Sequence, residues 1–201
     1  MRPAEAWQKL QEGNARFVRG KSIHPNQDAG RRQSLAHSQN PFAVIFGCSD
    51  SRLAAEIIFD LGLGDAFVIR TAGEVIDLAV IGSIEYSIAL LQVPLIIVLG
   101  HDQCGAVTAT RDAVDTGIMP AGSLRNLVER ITPSVLASKR DGGTDVDDFM
   151  VEHVKQTVGR LVETSRIIAD AVDDGSTAIV GMAYHLNEGR AELVNSLGQL
   201  S

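Results

Sequence analysis

The chain has 201 residues and a mass of 21.5 kDa, the size of one domain or one domain with an added arm. Hydrophobic residues make up 45% and charged residues 21%, which excludes an intrinsically disordered chain. Basic side chains number 18 against 25 acidic ones, and the resulting charge of −7 without a basic run argues against nucleic acid or an anionic membrane surface as partner. A small anion remains within reach, because one local cationic site suffices for it.

The opening segment reads as an amphipathic helix. Pro3 suits a first helical turn, and Trp7, Leu10 and Phe17 form a loose apolar stripe ending near Gly20. This stripe is expected to wrap a partner subunit rather than a membrane. A polar stretch, 21–40, follows, with turn-like His24-Pro25 and Asn40-Pro41. The chain thus divides into an arm and linker, 1–40, and an α/β core, 41–201, of one domain. The N-terminus lacks the apolar core of a signal peptide, and the longest apolar run, Ile88 to Leu99, is interrupted by Gln92 and Pro94. A cytoplasmic location is therefore expected.

Within the core, Phe42 to Phe46 is a continuously apolar run, as expected of a strand buried on both faces. It leads into Gly47-Cys48-Ser49-Asp50-Ser51-Arg52. The pattern then predicts a helix over 53–60, a strand over 66–69, a helix over 75–91 and a strand over 95–99. The last of these ends at Gly100-His101-Asp102-Gln103-Cys104-Gly105. Further helices are predicted over 106–115, 124–137 and 146–171, a strand over 177–183, and a short edge strand over 191–194. Strands alternating with helices predict an α/β fold with a mainly parallel sheet joined by right-handed crossovers.

Cys48 and Cys104 are the only cysteines, and each follows a predicted parallel strand in the loop before a helix. Ligands bind in open α/β sheets at such strand ends. His101, three residues before Cys104, can turn toward the same point. Two thiolates and an imidazole make a zinc set that leaves a fourth position for water or substrate. Two plain readings stand beside it: two buried cysteines with a chance histidine, or a thiol pair that cycles through a disulfide. Asp50 and Arg52 are costly to bury unpaired. Asp50 can close the metal shell as a fourth ligand, or Arg52 can hold it off the metal so that it accepts a hydrogen bond from water there. A surface salt bridge is the ordinary alternative.

The motifs Cys48-Ser-Asp-Ser-Arg52 and His101-Asp-Gln-Cys104-Gly105 resemble those of the β-class carbonic anhydrases. The resemblance extends through Gly13-Asn-Ala-Arg-Phe17, Gly64-Asp-Ala-Phe-Val-Ile-Arg70, Gly82-Ser-Ile-Glu-Tyr86 and Leu99-Gly-His-Asp102. It implies a central four-stranded parallel sheet with an additional edge strand. It implies a homodimer that can pair into tetramers, and one Zn²⁺ per subunit held by Cys48, His101 and Cys104. The implied reaction is the hydration of CO₂ to bicarbonate by zinc-activated water, with Asp50 and Arg52 catalytic and Asp50 a metal ligand only in a closed, lower-pH state. By position, Gln39 resembles a glutamine that reaches substrate from the partner subunit, Phe67 a pocket-wall aromatic, and Gly105 a backbone contributor.

A non-catalytic zinc module, with Asp50 closing the shell, and a hydrolase of a CO₂ analogue such as carbon disulfide are the alternatives. His24, His37 and His153 are shuttle candidates whose ordinary reading is surface histidine. The run Arg70-Thr-Ala-Gly-Glu74 departs from the Asn-containing family pattern, which is expected to affect the interface and turnover rather than the metal site. Arg70 and Tyr184 match two positions of a non-catalytic bicarbonate pocket in some relatives, but Ile45 stands where a tryptophan would be.

Overall fold

A computed structural model describes residues 1–200. Its centre is a five-stranded sheet in the order β2-β1-β3-β4-β5, with β1 (Ala43–Cys48), β2 (Ala66–Thr71), β3 (Leu95–His101) and β4 (Ala178–His185) parallel. The edge strand β5 (Arg190–Leu197) runs antiparallel to β4. β1 and β3 are buried along their whole length, as their unbroken apolar runs require.

The helices are α1 (Pro3–Val18), α2 (Ala29–Ser34), α3 (Ala55–Ile58), α4 (Leu78–Ala89), α5 (Gly105–Thr116), α6 (Leu124–Arg140), α7 (Val146–Thr164) and α8 (Arg166–Asp173); α2 buries none of its residues. No helix among the described residues is long and apolar enough to cross a membrane.

Five elements differ from their predicted form or use, each for a local reason. The apolar stripe of α1 is used within the chain: Ala6, Trp7 and Leu10 join the core, and Asn14 hydrogen-bonds Ile58 O, Gly189 O and Ala191 N. The helix expected over 53–60 shrinks to one turn. It stops where Asp60 takes φ 49° and its carboxylate accepts from Arg16 and from the Ile23 and His24 amides.

Helix α4 starts at Leu78 rather than Val75, because Asp77 caps it through Val80 N and the preceding Gly73 and Glu74 sit at φ 65° and 39°. The helix expected over 146–171 is two helices. Ser165 interrupts it with extended φ and ψ, caps the second through Ile168 N, and donates to Glu85 Oε1 at 2.6 Å. The short edge strand expected over 191–194 is an eight-residue strand carried by its ladder to β4.

Candidate metal centre

The parallel register of β1 and β3 pairs Gly47 with Leu99, so Cys48 leaves β1 one step from His101 at the end of β3. Cys104 stands three residues later as the N-cap residue of α5. Ligand atoms of Cys48, His101 and Cys104 thereby lie within 4.8 Å of one another, in buried side chains, and both cysteines are free thiols. A Cβ at Gly47 would meet Leu99 O at 3.4 Å, an ordinary van der Waals contact, so space alone does not demand glycine there.

The donors are prepared for a cation. His101 Nδ1 lies 2.7 Å from Asp102 O, a contact that places the proton on Nδ1 and leaves the Nε2 lone pair free. Nε2 is buried with no hydrogen-bond partner, an arrangement that costs free energy unless something accepts that lone pair. The Cys48 thiol is pushed below its usual range, chiefly by the side chain of Cys104, helped by His101 and by the Gly73 N–H at 3.3 Å from its sulfur. Burial works against a charge on His101, but the Cys48 sulfur outweighs it and the net displacement is upward. Two Zn–S bonds of about 2.3 Å at a tetrahedral angle would hold sulfurs about 3.8 Å apart, within the span observed. The residues present fit a zinc ion.

Beside this cluster Arg52 grips Asp50. Nε and Nη2 of Arg52 donate to Asp50 Oδ1 and Oδ2 at 2.9 and 2.7 Å, and the Arg52 amide adds a third bond to Oδ1. The Arg52 side chain holds the Asp50 carboxyl far below the usual carboxylate range. Asp50 Oδ2 stands 3.9 Å from His101 Nε2, so the carboxylate borders the cluster while held away from it.

Arg70 clamps the same loop from β2, donating to Cys48 O at 3.0 Å and to Asp50 O at 2.6 Å. Residues 43–191 match the family model for carbonic anhydrase. A carbonic anhydrase of Mycolicibacterium smegmatis is 55% identical over 198 residues, covering 98% of this chain and 96% of that protein. Carbonic anhydrase 2 of Mycobacterium tuberculosis is 54% identical with the same coverage. The chain belongs to the β-class carbonic anhydrase family.

The family's fold is also the one seen. A tetrameric β-carbonic anhydrase of Sordaria macrospora superposes with a TM-score of 0.76 at 21% identity, covering 96% of this chain and all of that one. The Coccomyxa β-carbonic anhydrase in complex with acetazolamide superposes at 0.74 with 23% identity, covering 94% and 86%.

The remaining family-matched positions do not all gather at the cluster. Gly105 opens α5 beside Cys104, where a Cβ would meet nothing within 4 Å, so space alone does not demand glycine. Phe67 pairs with Val44, four residues from Cys48, which along a strand is about 13 Å. Its ring instead stacks on Tyr86 with centroids 6.1 Å apart. Gln39 is exposed in a surface hollow that also contains Tyr86 and Leu91. Neither Gln39 nor Phe67 serves the cluster of its own chain.

Arg70 is committed to the loop carbonyls. Tyr184 is buried opposite His101, and Ile45 is buried in the middle of β1. His153 is not a surface histidine: it is buried, with Nε2 2.9 Å from Gly73 O and Nδ1 3.0 Å from Ser134 Oγ, and burial lowers its pKa to about 4.

Glu74 is the residue whose place the motifs did not foretell. It was expected to bear on the interface and turnover, yet its carboxyl is fully buried against Gly100 and within electrostatic range of both cysteines, with neither oxygen partnered. Burial, then the Cys48 charge, push its pKa well above the usual range. The available signal was positional: Glu74 follows the end of β2, at the same edge of the sheet as the two cysteine loops.

Proposed function

We propose that the chain is a zinc-dependent carbonic anhydrase that interconverts CO₂ with bicarbonate and a proton. One observation carries this reading: two sulfurs and an unpartnered imidazole Nε2 converge beside a carboxylate restrained by an arginine. Cys48, His101 and Cys104 would hold the ion. Zinc bound there supplies Lewis acidity, which lowers the pKa of a coordinated water and makes it nucleophilic near neutral pH.

The protein's own residues do the rest. Cys48 and Cys104, as thiolates, offset the ion's charge, so correct orientation of the water matters more than it would with neutral ligands. Asp50 is ionised and acceptor-only. Its Oδ2, which accepts from Arg52 Nη2 at 2.7 Å, has lone-pair capacity left and would accept a hydrogen bond from a water at the site, orienting it toward CO₂. Arg52 keeps that carboxylate from competing for the ion, and Arg70 fixes the loop that carries both. The proton released passes to solvent. His153 is too deeply buried to deliver it.

Gln39 and Phe67 are proposed to contribute to the partner's site in a homodimer, with Gly105 lending its N–H within the chain. The exposed side chains of Leu78 and Tyr86 on α4, and of Leu90 just after it, supply apolar surface for that contact. The tetrameric neighbour supports a dimer that pairs further. In the dimer the arm, 1–40, would reach the partner through the segment after α1, and residues 1–201 would form one domain. A cytoplasmic location accords with the expectation from sequence.

Stopped-flow CO₂ hydration by the wild type and Cys48→Ser, with zinc measured in each, tests the proposal. Wild type is expected to carry about one zinc per chain and to hydrate CO₂, and the variant to lose both. Zinc-loaded wild type inert toward CO₂ would leave a non-catalytic zinc module. Active protein that never binds metal would contradict the mechanism.

A further inference from the structure

On the far side of Gly73 from the cysteines lies a second cavity, of about 260 Å³. It is bounded by residues 75–78, which lead into α4, by Arg130 of α6, and by His153, Thr157 and Arg160 of α7. Neither Arg130 nor Arg160 forms an ion pair among the described residues. Arg130 Nη1 donates to Ile76 O at 2.9 Å, and Arg160 donates to Arg130 O and Gln156 Oε1 at 3.2 and 3.3 Å. All three acceptors are neutral, and each guanidinium has five N–H donors, so several remain for a ligand.

Asp77 is the only carboxylate on the cavity wall, and its Oδ1 is engaged in capping α4. His153 is held neutral by burial. Two guanidinium charges against one carboxylate leave the cavity at +1. Its floor carries Thr157, which is 1% exposed.

We propose that this cavity is a binding site for a small singly charged oxyanion, held between Arg130 and Arg160. Charge selects the class: a monoanion brings the cavity to neutrality, whereas a dianion leaves an excess charge facing Asp77. Paired guanidinium forks suit the planar O–C–O edge of bicarbonate or a carboxylate.

The cavity is wired to the metal centre by two hydrogen bonds in series. His153 Nε2 contacts Gly73 O at 2.9 Å, and Gly73 N–H contacts Cys48 Sγ at 3.3 Å. Only the choice of bicarbonate as first probe rests on the proposed reaction. The site itself does not depend on it.

The test uses zinc-loaded ¹⁵N-labelled enzyme at fixed ionic strength, titrated separately with sodium bicarbonate and sodium sulfate and followed by amide shifts. Bicarbonate is expected to shift the amides of Ile76, Asp77, Thr157 and Arg160 in a saturable way, apart from any changes around Cys104 and Gly105. In Arg160→Gln and, separately, Arg130→Gln, the cavity response should weaken by about tenfold or more while the response around Cys104 persists. Sulfate should bind the cavity more weakly than bicarbonate.

Shifts confined to the metal centre, a cavity response untouched by both substitutions, or tighter binding of sulfate would overturn the proposal. Thermal unfolding of each variant is measured alongside. Should Arg160→Gln not fold, Arg130→Gln, which alters an exposed side chain, decides the question.

Discussion

Glu74→Gln isolates a buried carboxyl with almost no change of shape. In the native protein Glu74 has no exposed surface and no hydrogen-bond partner, and its pKa lies well above the 4.5 of an unfolded glutamate. Above pH 4.5 the unfolded chain releases this proton while the native chain keeps it. Because the unfolded state then binds fewer protons, stability falls as pH rises, by about 1.4 kcal/mol per pH unit, until the native pKa is reached.

The contribution is fully present below pH 4.5 and is lost through the window above it. Glutamine does not titrate, so the stability of Glu74→Gln relative to wild type should grow steadily as pH rises from about 5.5 until the native pKa of Glu74 is reached. Urea unfolding at several pH values, with equal zinc content and protein concentration in both proteins, measures the difference. A difference that does not change with pH would mean that Glu74 is ionised in the native state, and would refute the account of its burial.

Arg52→Gln should retain zinc yet lose CO₂ hydration by roughly a hundredfold or more, because Asp50 is then free to approach the metal. Cobalt-substituted Arg52→Gln should show at alkaline pH the spectrum that the wild type shows only at lower pH, and identical spectra at every pH would count against an Asp50 switch. His153, neutral in the native state with a pKa near 4 against 6.5 unfolded, predicts the opposite slope from Glu74. The unfolded chain binds the extra proton, so stability rises by about 3 kcal/mol from pH 4 to 6.5, and replacing His153 with phenylalanine should flatten that rise in acid unfolding curves. Chelating the zinc should lower the unfolding midpoint, and re-addition should restore it. A midpoint indifferent to metal would mean that the ion does not bind the folded state preferentially.

The strand ends were the most legible part of the molecule. Apolar runs at Phe42–Phe46 and Leu95–Leu99 are those expected of strands buried on both faces, and their loops carry the cysteines and His101 on one edge of the sheet. Placing the three ligands together then required only that β1 and β3 be neighbours.

What the sequence did not disclose depended on long-range contacts. Ser165 breaks a pattern with continuous helical periodicity because it finds Glu85, 80 residues away. Asp60 ends α3 because the linker amides of Ile23 and His24 reach it. His153 looked like a surface histidine until α7 was packed against Gly73. Glu74 followed the same logic: a charged residue after a strand is ordinarily solvated, and only the left-handed turn at Gly73-Glu74 sends its carboxyl inward.

Zinc K-edge X-ray absorption of the purified, reduced protein addresses the central claim most directly. The account predicts about one zinc per chain with two sulfur and one imidazole nitrogen scatterers, and one sulfur lost in Cys104→Ser. A first shell of oxygen and nitrogen alone, or an absorption edge too weak for stoichiometric zinc, would contradict it.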